Sequence, residues 1–140
     1  MPGSIFYKMH LVFEGAMKCW YFGNFGQFEY NLKQSDKYLV EAKTLFEYKQ
    51  YLLAYQALQK SDGYFNNIQP YLIKAQKESK SIIQKQNKLK EASLKHIEIL
   101  NAIEQQIPTE FIWRPEKTFP TTLYLKQTIE NSIKIRNENL

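Results

Sequence analysis

Thiol chemistry is almost absent from this chain, because Cys19 is the one cysteine in 140 residues. It can close no internal disulfide and build no thiolate metal cluster. Glycine is scarce, at five residues, while Leu, Ile, Lys, Glu and Gln fill the middle of the chain. That mixture favours helix over sheet and carries no signature of disorder. No apolar run approaches the eighteen or so residues that cross a bilayer. Met1, Pro2, Gly3, Ser4 and Ile5 form neither a signal peptide nor a myristoylation site. Targeting is therefore expected to lie outside the chain as given. Histidine occurs only at His10 and His96, without a His-Glu-x-x-His spacing. A nucleophile elbow, a phosphate loop, a paired-carboxylate site and a metal constellation are all missing. No catalytic residue, metal or cofactor is expected.

What is present is a rhythm. Ile68, Leu72, Ala75, Ser79, Ile82, Gln86, Leu89, Ser93, His96, Leu100, Ile103 and Ile107 alternate steps of four and three, which keeps one helix face toward a partner. Read as a single helix over about residues 68–107, this is a rod of roughly 60 Å, and the other segments become its partners. Residues 4–22 form a first helix on Ile5, Met9, Val12, Ala16 and Cys19, with Ser4 as its cap. Residues 25–47 form a second, on Phe25, Phe28, Leu32, Ser35, Leu39, Ala42 and Phe46. A third covers residues 50–61, and Ser61, Asp62 and Gly63 either end it or pass into a long helix over 64–107. Pro70 predicts a kink, or a helix start just before it. Pro108 ends the rod, residues 108–120 form an ordered loop, and a last helix spans 121–137 on Leu125, Ile129 and Ile133. The expected fold is all-α: one domain over residues 1–140, an elongated antiparallel bundle of four to five helices built on one long helix.

Three stretches resemble an uncharacterised family of helical domains from candidate-phylum bacteria. They are the opening Pro2, Gly3, Ser4, Ile5, Phe6 and Tyr7; residues 25–45, ending in Leu39, Val40, Glu41, Ala42, Lys43, Thr44 and Leu45; and Leu94, Lys95, His96, Ile97, Glu98, Ile99 and Leu100, followed by Gln106, Ile107 and Pro108. None is a chemical motif, and together they span about residues 2–110. Pro70 departs from a segment that family keeps helical, and the stretch around Trp113 departs from a more regular continuation. The resemblance implies a helical domain outside the cytoplasm, following an N-terminal membrane anchor, with no assigned activity. A cytoplasmic location is the alternative.

Candidate sites each have a plain reading beside the functional one. His96 falls on the seam of the rod, as a lone ligand or base, or as a histidine hydrogen-bonded within the packing; the second is favoured. Ser79, Gln86 and Ser93 either fix register or lie at the seam's edge. Between residues 74 and 95 seven lysines face two glutamates, a local balance of +5. Lys77, Lys80, Lys88 and Lys95 are candidate contacts for nucleic acid, a teichoic-type polymer or anionic lipid, and a solvated helix surface is the favoured reading. Nine aromatics fall in the first thirty residues, and Tyr21 is the one most free for a surface role. Trp113 and Arg114 are the composition of an interface hot spot, or a cap on the end of the bundle.

The functional expectation is a non-catalytic binding or scaffold module displayed outside the membrane. Its partner would be a protein or a cell-envelope polymer, and it could self-associate. Membrane contact is expected only through a segment absent from this chain. A basic helical nucleic-acid-binding protein is the alternative, although nucleic acid is not the expected partner; an enzyme with an unrecognised site is the second alternative.

Overall fold

A computed structural model describes residues 23–78 and 80–140. The expected helix over residues 4–22, with Tyr21, lies outside them, as does Ser79. Among the described residues the chain is mostly helical, with five helices and one small sheet. The order is α1 (Gly23–Glu47), α2 (Tyr51–Asn66), α3 (Ile68–Lys77), α4 (Ile83–Glu104), β1 (Phe111–Trp113), β2 (Thr121–Leu123) and α5 (Leu125–Asn137).

The reversal between α1 and α2 needs neither glycine nor proline. Lys49 takes a left-handed conformation, φ 59°. Its N–H donates to the Phe46 carbonyl at 3.0 Å, and the Gln50 N–H reaches back to Leu45 at 2.9 Å. This is the helix-ending pair of bonds usually built around glycine. It lays α2 back along α1.

The single long helix is not there, and the correction has a local cause. The rod breaks at residues 78–82, leaving α3 and α4 as separate helices. A serine such as Ser81 favours local backbone bonding over continuing a helix. The Lys80 N–H turns back to the Ala75 carbonyl at 3.1 Å, a closure over six residues that stops α3. The apolar rhythm survives the break. Ile68, Leu72, Ala75, Ile82, Leu89, Leu100, Ile103 and Ile107 are all buried. Pro70 stands in the first turn of α3, where a missing N–H is tolerated. The third helix continues past residue 61 to Asn66, so Ser61, Asp62 and Gly63 do not end it.

The expected loop over residues 108–120 is the second correction. Phe111, Ile112 and Trp113 pair antiparallel with Leu123, Thr122 and Thr121. These aromatic and β-branched residues suit a strand, and three-residue strands are too short to show a period. The last helix accordingly starts at Leu125 rather than 121.

Helix α1 packs on α2 and α3, and α4 packs on α5, which also touches α2. Two apolar cores result. One gathers Leu39, Phe46, Leu58, Leu100, Leu125 and Ile129; the other gathers Phe28, Leu32, Phe65, Ile68, Leu72 and Leu89.

Candidate functional site

On four helices the step from one core to the other falls on polar residues. These are Ser35 and Asp36 on α1, Ser61 and Asp62 on α2, Ser93 and His96 on α4, and Ser132 and Arg136 on α5. All four serines are fully buried, as is Arg136. A hydroxymethyl group is small enough to leave space for a guanidinium between helices and polar enough to bond to it.

Arg136 is the hub of this layer. Its Nη1 donates to Asp62 Oδ1 and its Nη2 to Ser61 Oγ at 2.9 Å. Its Nε donates to His96 Nδ1 at 3.2 Å. Asp62 takes a second bond from Ser132 Oγ, at 2.6 Å. Ser61 Oγ in turn donates to the Ser35 carbonyl at 2.7 Å. Phe65 closes the layer from the second core, its ring centroid 4.8 Å from the guanidinium carbon and 5.4 Å from the His96 ring. Burial pushes the Arg136 guanidinium below its ordinary value, and Asp62 and Asp36 pull it back up. A guanidinium stays charged in proteins, so this is a buried cation held by charge and hydrogen bonds together.

The same geometry fixes the His96 tautomer. A guanidinium only donates, so Nδ1 must be the bare acceptor and Nε2 must carry the proton. Nε2 donates to Asp36 Oδ1. Both ring nitrogens are therefore occupied within the protein, and the ring is 3% exposed. A general base needs one nitrogen aimed at a substrate, and His96 offers none.

Asp36 reaches the outer edge of the layer, where a groove of about 310 Å³ runs between α1 and α4. Leu32, Leu39, Val40, Ala92 and Ile99 make it largely apolar, with Lys88 and Lys95 beside it. It continues toward Lys43, Glu98 and Ala102 as a second hollow of about 320 Å³.

Of the lysines expected as contacts, Lys88 and Lys95 line the same groove, while Lys77 and Lys80 do not. Lys88 and Lys85 both donate to Glu29, each at 2.6 Å. Lys80 lies 3.3 Å from Glu78 and over the Phe25 ring at 5.6 Å. Lys77 ends α3, Lys95 lines the groove, and Trp113 and Arg114 stand on the hairpin, remote in sequence from both. Burial raises the Glu29 carboxyl's affinity for its proton, but the bonds and charges of Lys85 and Lys88 outweigh it and bring the net value below 4.5. The stabilisation is thus complete above pH 4.5 and is lost as pH falls through the lower folded-state value. Glu29→Gln should be less stable than the parent by about 0.5–1 kcal/mol at pH 6. Urea melts should show that gap closing as the pH drops below 4.5; a gap constant down to pH 3 would refute the pairing.

Sequence reasoning found Ser93 and His96 but missed Asp62, Ser132 and Arg136. The signal existed, because Leu125, Ile129, Ser132 and Arg136 follow the same four-three-four step, with polar residues where apolar ones are the rule. No protein-family model matches the chain, and no curated protein or solved structure matches it.

Proposed function

We propose that the chain is a non-catalytic helical binding module that presents the α1–α4 groove to a protein partner. One observation carries the reading: the histidine-centred constellation is closed on itself, with both His96 nitrogens bonded inside the protein. Its polar chemistry holds four helices in register rather than facing a substrate. The groove beside it has apolar walls and a mixed-charge margin, a surface suited to the apolar face of another helix. The helices form an elongated antiparallel bundle in this reading, with the polar layer as its register device. Display outside the cytoplasm, next to a membrane, is the location that the sequence resemblance favours. Nucleic acid is the weaker partner, since Lys80, Lys85 and Lys88 are engaged with Glu78 and Glu29.

A photo-crosslinker at Val40 or Ala92, carried in the full-length protein in its native cells, tests the groove. It should join one and the same polypeptide from both positions, and none from Gln56 on an exposed part of α2. Equal labelling from Gln56, or none from the groove, would overturn the proposal. Protease added to intact cells should cleave the domain; protection would refute the location.

A further inference from the structure

We propose that the β1–β2 hairpin is a membrane-contacting tip that seats in the interface of an anionic bilayer. The observations are independent of the groove. Three large apolar side chains gather in the outer part of this hairpin: Phe119 is 93% exposed, Ile112 46% and Trp113 38%. A phenylalanine almost wholly in water, at the outer end of a ribbon, is not core packing. The base of the hairpin, by contrast, is rooted. Phe111 and Leu123 pair across the strands and both pack into the first core. The Phe111 ring lies 5.1 Å from that of Tyr51, and the Lys126 N–H donates to the Thr109 carbonyl at 3.3 Å.

The arrangement of side chains chooses between a lipid surface and a protein partner. Strand alternation puts Trp113 on the face that carries Phe111 and Leu123, and Ile112 on the opposite face with Thr122. Phe119 occupies the connecting loop. Apolar groups thus project from both faces and from the end. A protein surface covers one face of such a ribbon, whereas an acyl boundary surrounds it. Tryptophan is among the residues favoured at that boundary.

Charge selects the headgroup. The loop carries Arg114 and Lys117 against Glu116, and none of the three is in an ion pair among the described residues. The chain as a whole is +5. Cations near an anionic lipid surface are attracted to it, and two loop cations against one carboxylate leave a net positive loop that favours phosphatidylglycerol over phosphatidylcholine.

The full chain mixed with sedimentable vesicles provides the test. It should co-sediment with phosphatidylcholine vesicles containing phosphatidylglycerol, more weakly with phosphatidylcholine alone. Phe119→Ser should lower the partition coefficient about tenfold while leaving the thermal melt unchanged, because that ring packs against nothing. Arg114→Gln with Lys117→Gln should remove the preference for the anionic vesicles. Brominated acyl chains should quench the tryptophan emission, and Trp113→Phe should remove most of that quenching. Failure to sediment with anionic vesicles at low salt overturns the proposal, as does binding that Phe119→Ser leaves intact. A crosslinker at position 119 that captures a polypeptide, without bromolipid quenching, would assign the hairpin to a protein instead.

Discussion

Arg136→Met is expected to lower the melting temperature by about 10–15 °C, from a loss of about 3–5 kcal/mol. The estimate follows from what the substitution strands. Asp62 keeps Ser132 but loses its counter-charge, and Ser61 Oγ and His96 Nδ1 lose their donors. Arg136 is fully buried and the Asp62 side chain is only 16% exposed, so water cannot replace the missing bonds without opening the helices. The methionine chain fills part of the space, which separates the polar loss from a cavity. The companion variant makes the argument sharp. Arg136→Met combined with Asp62→Leu and His96→Leu removes stranded groups along with the hub. It should recover much of the lost stability, since apolar replacement of a whole buried ionic cluster is often neutral or better. Asp36, half exposed, is solvated once its histidine is gone. Paired thermal and urea melts decide the matter. If the single variant melts like the parent, the layer contributes nothing to the fold. If the triple variant is worse than the single one, the penalty lies in packing rather than in unpaired polar groups.

The sequence carried the helical class and most of the buried positions, because a four-three rhythm reports which side chains face inward. It did not carry where helices stop. Lys49 ends α1 in a left-handed conformation that nothing about a lysine announces, and the break between Lys77 and Ile83 leaves the apolar spacing unchanged. A seam that continues through a chain reversal looks the same as a seam along one rod, since Ala75 and Ile82 keep their spacing and their burial on either side. The polar layer was half legible. Ser35, Ser93 and His96 stood out as polar residues on apolar stripes, but Ser35 finds Ser61 and His96 finds Arg136 on other helices, 26 and 40 residues away, while Ser93 bonds back to the Leu89 carbonyl of its own helix. Asp62 looked like part of a turn because Ser61, Asp62 and Gly63 resemble a helix stop. Its burial against α5 is a tertiary effect that overrides local propensity. The hairpin escaped because three residues per strand are too few for alternation to register.

Leu89→Asp tests the seam that survived these corrections. Leu89 is 1% exposed and sits in the second core with Phe28, Leu32, Phe65 and Ile82. Losing its burial removes about 1.5–3 kcal/mol, and leaving a carboxylate among those rings costs several more. The nearest cation on the same helix face, Lys85, is already bonded to Glu29 at 2.6 Å, so recruiting it would break that pair. The total rivals the whole stability of an ordinary domain, about 5–15 kcal/mol. The variant should lack a cooperative melt by circular dichroism. Leu94→Asp supplies the contrast. Leu94 lies on the same helix, is about half exposed, and should tolerate the same charge within about 0.5 kcal/mol. Leu89→Met, which conserves volume and polarity, should cost less than about 1.5 kcal/mol. A single continuous rod and two helices divided at residue 80 both bury Leu89, so this test addresses the inward face and not the helix boundary. Equal damage at positions 89 and 94 would mean that α4 does not present the face that the rhythm assigns to it, and both the polar layer and the groove would lose their support.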